Sequence, residues 1–350
     1  MKKLIALLLA LVMVIGLVAC GAKDEPAADA PAADAPAADA PAADAPAADG
    51  EKTWKIGFAN IGEIVQLQIE VKESMERAAE AAGVELVYMN NDMNGATAVQ
   101  NADNMIQQEI DGFIEFNIDE SVGPTIKEKM DEAGIPIIAV DISIAGTTFF
   151  GANNELAGVV GGNRLGEVAQ ERWGKEPDIL LLVYDSTSGE TPMARVTRME
   201  DGVREIFPEF SNEKVYMIDG GSDAAACQKA VADFLTAHPD EKNIAIGAFN
   251  DLYAVAVLAA VETAGRGEEC IMVAQNEYGY LDYLKENPDP VENECFVGGV
   301  AYFFTQYGDY LIPAMVRKLE GEDLGEAFYV NHEVITRDNA QEHFADYLAG

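Results

Sequence analysis

The chain has 350 residues, with 61 acidic against 23 basic side chains and a formal net charge of −38. A field of that sign repels nucleic acid and anionic membrane surfaces and mildly opposes an anionic ligand. The cysteines fall in no metal-binding spacing, no cofactor motif is present, and none of the three histidines, His238, His332 and His343, has a nucleophile or acid set around it in a catalytic pattern. An enzyme is therefore not expected.

Lys2 and Lys3 precede an apolar run from Leu4 to Ala19. The run is too short and too close to the start for an ordinary membrane-spanning helix, and its basic flank suits a secretory signal. It closes on Leu17-Val18-Ala19-Cys20-Gly21, which resembles the lipobox of bacterial lipoproteins. That resemblance implies a signal peptide over 1–19, cleavage before Cys20 and diacylation of its thiol. Two acyl chains hold a protein on a bilayer where one does not.

Residues 26–49 are five copies of Pro-Ala-Ala-Asp, the first four followed by Ala. With no large apolar side chain, this stretch cannot offset its ordering entropy, and recurrent proline interrupts the helix that alanine favours. Residues 20–50 thus read as a lipidated cysteine and a semi-extended tether, stretched by like charges. Residues 1–50 hold seven of the acidic and three of the basic side chains, which leaves 54 and 20, a net −34, on the 300 residues beyond. That length suits two lobes of ordinary domain size.

From Trp54 short apolar runs alternate with helical periodicity. Strands are expected at Lys55–Asn60, Glu85–Met89, Gly112–Asn117 and Ile135–Val140. The helix carrying Val71, Met75, Ala78, Ala79 and Ala82 stops at Gly83. Gly95–Gln108 is helical, and Val122–Ala133 is a helix that stops at Gly134. After Asn153 the alternation restarts, with strands at Ile179–Tyr184, Val215–Ile218, Ile244–Phe249, Ile271–Gln275 and Phe296–Val300 and helices such as Ala224–Thr236 and Leu252–Thr263. Two such βα series predict an α/β protein of two Rossmann-like, doubly wound parallel-sheet lobes.

In open parallel sheets, ligands sit beyond the carboxyl ends of the strands. The residues there are Asn60, Asn117, Asp141, Asp185, Asn250, Asn276 and Tyr302. Most carry amides or carboxyls, which hold hydroxyl groups by paired donor and acceptor bonds. Asp and Asn also cap helices and shape turns. Asp251 is expected to be such a cap, leaving Asn250 to face a cleft, whereas Asn117 and Asp141 are not clear caps. Cys270 and Cys295 open successive strands, so a disulfide between them is a candidate in an oxidising exterior.

The order of Ile114-Glu115-Phe116-Asn117, then Ala133-Gly134-Ile135-Pro136-Ile137-Ile138-Ala139-Val140-Asp141, Leu235-Thr236-Ala237-His238-Pro239-Asp240 and Asn250-Asp251 is similar to that in the sugar-binding proteins of ABC importers, of the ribose- and galactose-binding type. The similarity runs from Trp54 to about Asn339. It implies a monomer whose lobes, joined by three crossover strands near Asn153, Tyr302 and Asn331, close on a small polar ligand and present it to a permease. The first lobe would be 51–152 plus 303–331, and the second 153–302 plus 332–350. Asn117 and Asp141 would bind from the first lobe, and Asn250, Asn276 and either Arg195 or Arg198 from the second, with Tyr302 at the last crossing. Gln68 ends a first loop, Ile61–Gln68, that lacks the aromatic rings such proteins usually stack on a sugar, and Ile142 stands where the ribose type carries arginine. Stacking would then fall to Phe249, Tyr278 or Tyr302. A receptor of the same fold that hands its ligand to a sensor kinase or chemoreceptor is the other expectation. A repressor with these lobes is excluded by the signal sequence and by the lack of a basic helix-turn-helix.

Overall fold

A computed structural model describes residues 53–221 and 223–350. The expected signal peptide, Cys20 and the expected Pro-Ala-Ala-Asp tether lie outside the described residues. The first series runs β1 (Lys55–Asn60), α1 (Gln66–Ala82), β2 (Glu85–Asn90), α2 (Gly95–Gln107), β3 (Gly112–Glu115), α3 (Gly123–Ala133), β4 (Ile137–Val140) and β5 (Thr148–Gly151). The second runs α4 (Asn154–Trp173), β6 (Ile179–Tyr184), α5 (Glu190–Thr197), α6 (Met199–Ile206), β7 (Val215–Asp219), α7 (Ala224–Ala237), β8 (Ile244–Ala248), α8 (Asp251–Thr263), β9 (Cys270–Gln275), α9 (Tyr278–Glu286) and β10 (Phe296–Val300). The chain ends with α10 (Tyr307–Leu319), β11 (Ala327–Tyr329), β12 (Val334–Ile335) and α11 (Ala340–Ala349).

Two six-stranded sheets result, ordered β2-β1-β3-β4-β5-β11 and β7-β6-β8-β9-β10-β12. Every pairing is parallel except that of β10 with β12. The chain passes between sheets after β5, after β10 and between β11 and β12. After the second passage, α10 packs on α1 and β3, while α11 packs on α9. Strand order reverses between β1 and β3 in one sheet and between β6 and β8 in the other, the two switch points at which such sheets leave a crevice.

Sequence dictates most of this directly. β3, β4, β8, β9 and β10 are buried along their whole length. Near-continuous apolar runs are what a parallel sheet covered by helices on both faces requires. Gly83 and Gly134 end α1 and α3 at φ of +65° and +72°, where a side chain would be strained. β4 begins at Ile137 rather than at the expected Ile135. The Ile135 N–H is committed to Met130 O at the helix end, and Pro136 has no N–H to give. β5, β11 and β12 were not anticipated, being only four, three and two residues long.

The candidate disulfide is not formed: Cys270 and Cys295 are buried free thiols, as is Cys227. The β9–β10 register sets Phe296 opposite Met272, which brings Cys295 level with Ile271 rather than with Cys270. Side chains one residue out of step point to opposite faces of a sheet.

Candidate functional site

The seam between the two sheets' carboxyl ends is built from a few side chains that fix one another. Gln275, the last residue of β9, is fully buried. Its amide donates to Arg195 O at 2.8 Å and to Ala157 O at 3.2 Å, and its Oε1 accepts from Tyr302 Oη at 3.0 Å. These bonds set Arg195 over two rings, its guanidinium 5.1 Å from the Tyr302 centroid and 5.2 Å from that of Phe249. Cation–π contact of this kind is worth about 0.5–2 kcal/mol. Arg195 Nε donates to Asn154 Oδ1 at 2.9 Å.

Opposite stands Asp141, just past β4. Its Oδ1 accepts from Ala152 N at 3.3 Å, and both its oxygens lie within 3.3 Å of Tyr307 Oη, which donates to them. Burial pushes the Asp141 carboxyl up to about 6, opposed by those two bonds and by the charge of Arg195. Asp141 and Arg195 therefore face each other electrostatically across the seam, with Tyr302 beside them.

The lobes repeat one device. Asp141 follows the fourth strand of the first series with φ of +55°, and Asn276 follows the fourth strand of the second with φ of +80°. Left-handed backbone at a non-glycine residue is uncommon, and here it recurs at equivalent strand ends of the two lobes.

The other expected residues are placed differently. Gln68 is buried and turned into its own loop, its Oε1 accepting from Ile64 N at 2.7 Å and Val65 N at 3.3 Å, its amide on Met93 Sδ. Asn117 Oδ1 accepts from Asp119 N at 2.8 Å, shaping a turn, and its amide neighbours the buried carboxyl of Glu115. Arg198 is surface-exposed and paired with Asp201 at 3.1 Å and Glu155 at 3.7 Å. Asn250 and Asp251 exchange their expected roles. Asn250 is the cap, its Oδ1 accepting from Tyr253 N at 3.0 Å. Asp251 instead turns inward, where Oδ1 accepts from Gly279 N and Oδ2 from the Asn276 amide, both at 2.7 Å. The reason is geometric: the residue before the first helical turn keeps extended backbone and can reach back to the third N–H, while the next already lies in the helix. Asn276 is thereby tied between Asp251 and the N–H of Glu277, 3.1 Å from its Oδ1.

Four side chains complete the seam without having been legible in the sequence. Glu277 is fully buried; its Oε2 accepts from Tyr302 N at 3.0 Å, and its Oε1 has no partner. Glu70 of α1 accepts a hydrogen bond from the Tyr278 hydroxyl, a direct link between lobes. Tyr307 holds Asp141, as described. His332 joins the three chain passages: its Nε2 accepts from Asn153 N, and its Nδ1–H donates to Ala301 O, both at 3.0 Å. Burial holds this imidazole neutral, with its pKa lowered to about 4. Only the position of Glu277, beside the predicted strand end at Asn276, offered a signal. Among the described residues no group of His, Cys, Asp and Glu is placed to hold a metal.

A family model described as the periplasmic binding protein domain matches residues 56–323. No curated protein matches the sequence. Among solved structures, a periplasmic ribose ABC transporter from Conexibacter woesei superposes with a TM-score of 0.66 at 16% identity, over 85% of this chain and 97% of that one. The arabinose binding protein AraP from Geobacillus stearothermophilus gives 0.64 at 18% identity, over 84% and 100% of the two chains. An ABC transporter periplasmic solute binding protein from Actinobacillus succinogenes with bound D-allose gives 0.62 at 16% identity, over 83% and 100%.

Proposed function

The chain belongs to the periplasmic binding protein domain family, and from that membership we propose that it captures a sugar or sugar-like small polar ligand outside the cell and delivers it to an ABC importer. The observation that carries this reading is the seam itself. Asp141 and Tyr307 on one lobe face Arg195 over Phe249 and Tyr302 on the other, which supplies acceptors, donors and ring faces at one place. Carboxylate and guanidinium bond hydroxyl groups strongly, and ring faces take the CH side of a sugar. Of the expected set, Asp141, Arg195 and Tyr302 are the residues we assign to the ligand. Asn117 and Asn250 instead hold the backbone that follows their strands, and Asn276 holds Asp251. The ribose, arabinose and D-allose named for the solved relatives favour the same ligand class.

In this reading residues 51–152 with 303–331 close against 153–302 with 332–350. The lipobox-like end of the apolar run would anchor the protein on the outer face of the membrane through Cys20, with the repeat tether as spacer. Among the described residues no helix is long and apolar enough to cross a membrane. A lipid label that does not enter the chain in its host cell, or enters a Cys20→Ala variant equally, would remove the anchor.

A thermal-shift screen of the full chain against pentoses, hexoses and polyols tests the ligand class. A binder raises the midpoint with its concentration, and Asp141→Ala abolishes that shift while the unliganded variant still melts cooperatively. A screen in which neither these compounds nor their substituted derivatives move the midpoint refutes the proposal.

A further inference from the structure

The seam is far more acidic than capture of a neutral sugar requires. Two fully buried glutamates each keep one oxygen unpaired, Glu115 beside Asn117 and Glu277 at the seam, and Glu277 is the one set among further acidic groups. It is fully buried, one carboxylate oxygen already satisfies the Tyr302 N–H, and the other has no partner at all. A carboxyl serving only to cap that N–H could be an amide or a hydroxyl at far lower desolvation cost. The nearest charges make matters worse: Asp251 from α8 and Glu70 from α1 both act on Glu277 with the same sign. Around them stand Tyr302, Tyr307 and Asp141, with the Arg195 cation acting on Tyr302 and Asp141. Arg195 lies on the two rings near Asp141 and does not bond Glu277.

Chain-wide acidity does not account for this, because surface charge is solvated and this oxygen is not. A buried carboxyl with one oxygen unpaired keeps its proton until a cation arrives beside it to stabilise the charged form.

Resting on the seam being the ligand site, we propose that the ligand carries a protonated amine, as an amino sugar does, and that its ammonium pairs with the unpartnered oxygen of Glu277. Asp251 and Glu70 add a field of the right sign, and the tyrosine hydroxyls and Asp141 take the ring hydroxyls. Burial holds the Glu277 proton on up to about 8, so at pH 7 a bound ammonium displaces that proton to solvent while a neutral sugar leaves it in place.

Calorimetric titration of the full chain at pH 7 with glucosamine, galactosamine and mannosamine decides the matter, with each N-acetyl derivative and parent hexose as control. The expected result is one amine binding up to about fifteenfold more tightly than its acetylated and parent forms, as a charge-assisted bond of about 1.5–3 kcal/mol implies once the about 1.4 kcal/mol for ionising Glu277 one unit below its pKa is subtracted. Repeating the titration in two buffers of different ionisation heat should show proton release for the amine and none for the neutral sugar. Glu277→Gln should bring the amine-to-parent affinity ratio close to one. A neutral or acetylated sugar that binds as tightly as its amine overturns this inference and leaves sugar capture standing. Silence from every sugar, charged or neutral, overturns both. The wild-type comparison stands alone if Glu277→Gln fails to fold.

Discussion

Replacing His332 by alanine tests whether one imidazole ties the chain passages together. The change removes the acceptor for Asn153 N–H and the donor to Ala301 O, both at 3.0 Å, together with the edge contact to the Tyr302 ring 4.9 Å away. Leaving two buried backbone groups unpaired costs about 1–3 kcal/mol each at most sites, so a loss of roughly 2–6 kcal/mol is expected. In a domain pair of this size each kcal/mol lowers Tm by about 2 °C, which gives a fall of roughly 4–12 °C. The pH dependence discriminates further. Burial lowers the His332 pKa from 6.5 to about 4. Above pH 6.5 neither state is protonated there, and the ring contributes fully. Between 6.5 and 4 the unfolded chain takes up a proton that the folded chain refuses, so this contribution is lost as pH falls. At about 1.4 kcal/mol per pKa unit, the stability gap between wild type and His332→Ala should shrink by roughly 2 kcal/mol from pH 7.5 to pH 5. Urea melts of both proteins at the two pH values measure it, and comparing the pair cancels the carboxyls they share. A gap that is the same at both pH values refutes a neutral, buried hinge histidine, and a gap near zero at pH 7.5 refutes the hinge role itself.

Arg195→Ala should weaken whichever sugar the screen identifies by about 2 kcal/mol, roughly thirtyfold, because a guanidinium facing the seam is lost. Arg198→Ala, which removes only exposed ion pairs, should change affinity by less than about twofold; equal effects would mean the assignment between the two arginines is wrong. For the thiols, native protein should react slowly with a disulfide reagent at pH 8, since burial pushes Cys227 up to about 11 and Cys270 up to about 12. In denaturant Cys227, Cys270 and Cys295 should titrate without prior reduction, beside any unmodified Cys20, and thiols that appear only after reduction would restore the Cys270–Cys295 bridge.

The two sheets were legible because they obey a one-dimensional rule. Strands such as Leu180–Val183 and Ile271–Ala274 are apolar without interruption, helices between them end at glycine, and the repeat length admits little besides βα units. The sequence also located the seam, since residues past strand ends meet there in any open parallel sheet, and Asp141, Arg195 and Tyr302 were among those expected. Which polar groups face a ligand was not legible. Asn250 and Asp251 are adjacent and chemically alike, and only the phase of α8 decides that the first caps the helix and the second turns inward to Gly279 N and Asn276. Arg195 and Arg198 lie one helical turn apart, and only the packing of Gln275 and Phe249 against the first separates them. The same holds for Glu277: a glutamate at the start of a helix is ordinary in sequence, and its orphaned oxygen exists because Tyr302, more than twenty residues on, takes the other one. By itself the sequence determined a paired α/β architecture, because hydrophobic periodicity and turn residues act locally. Tertiary structure alone decided the chemistry of the seam, because a side chain's partners, its burial and therefore its charge state depend on residues that the sequence keeps far apart.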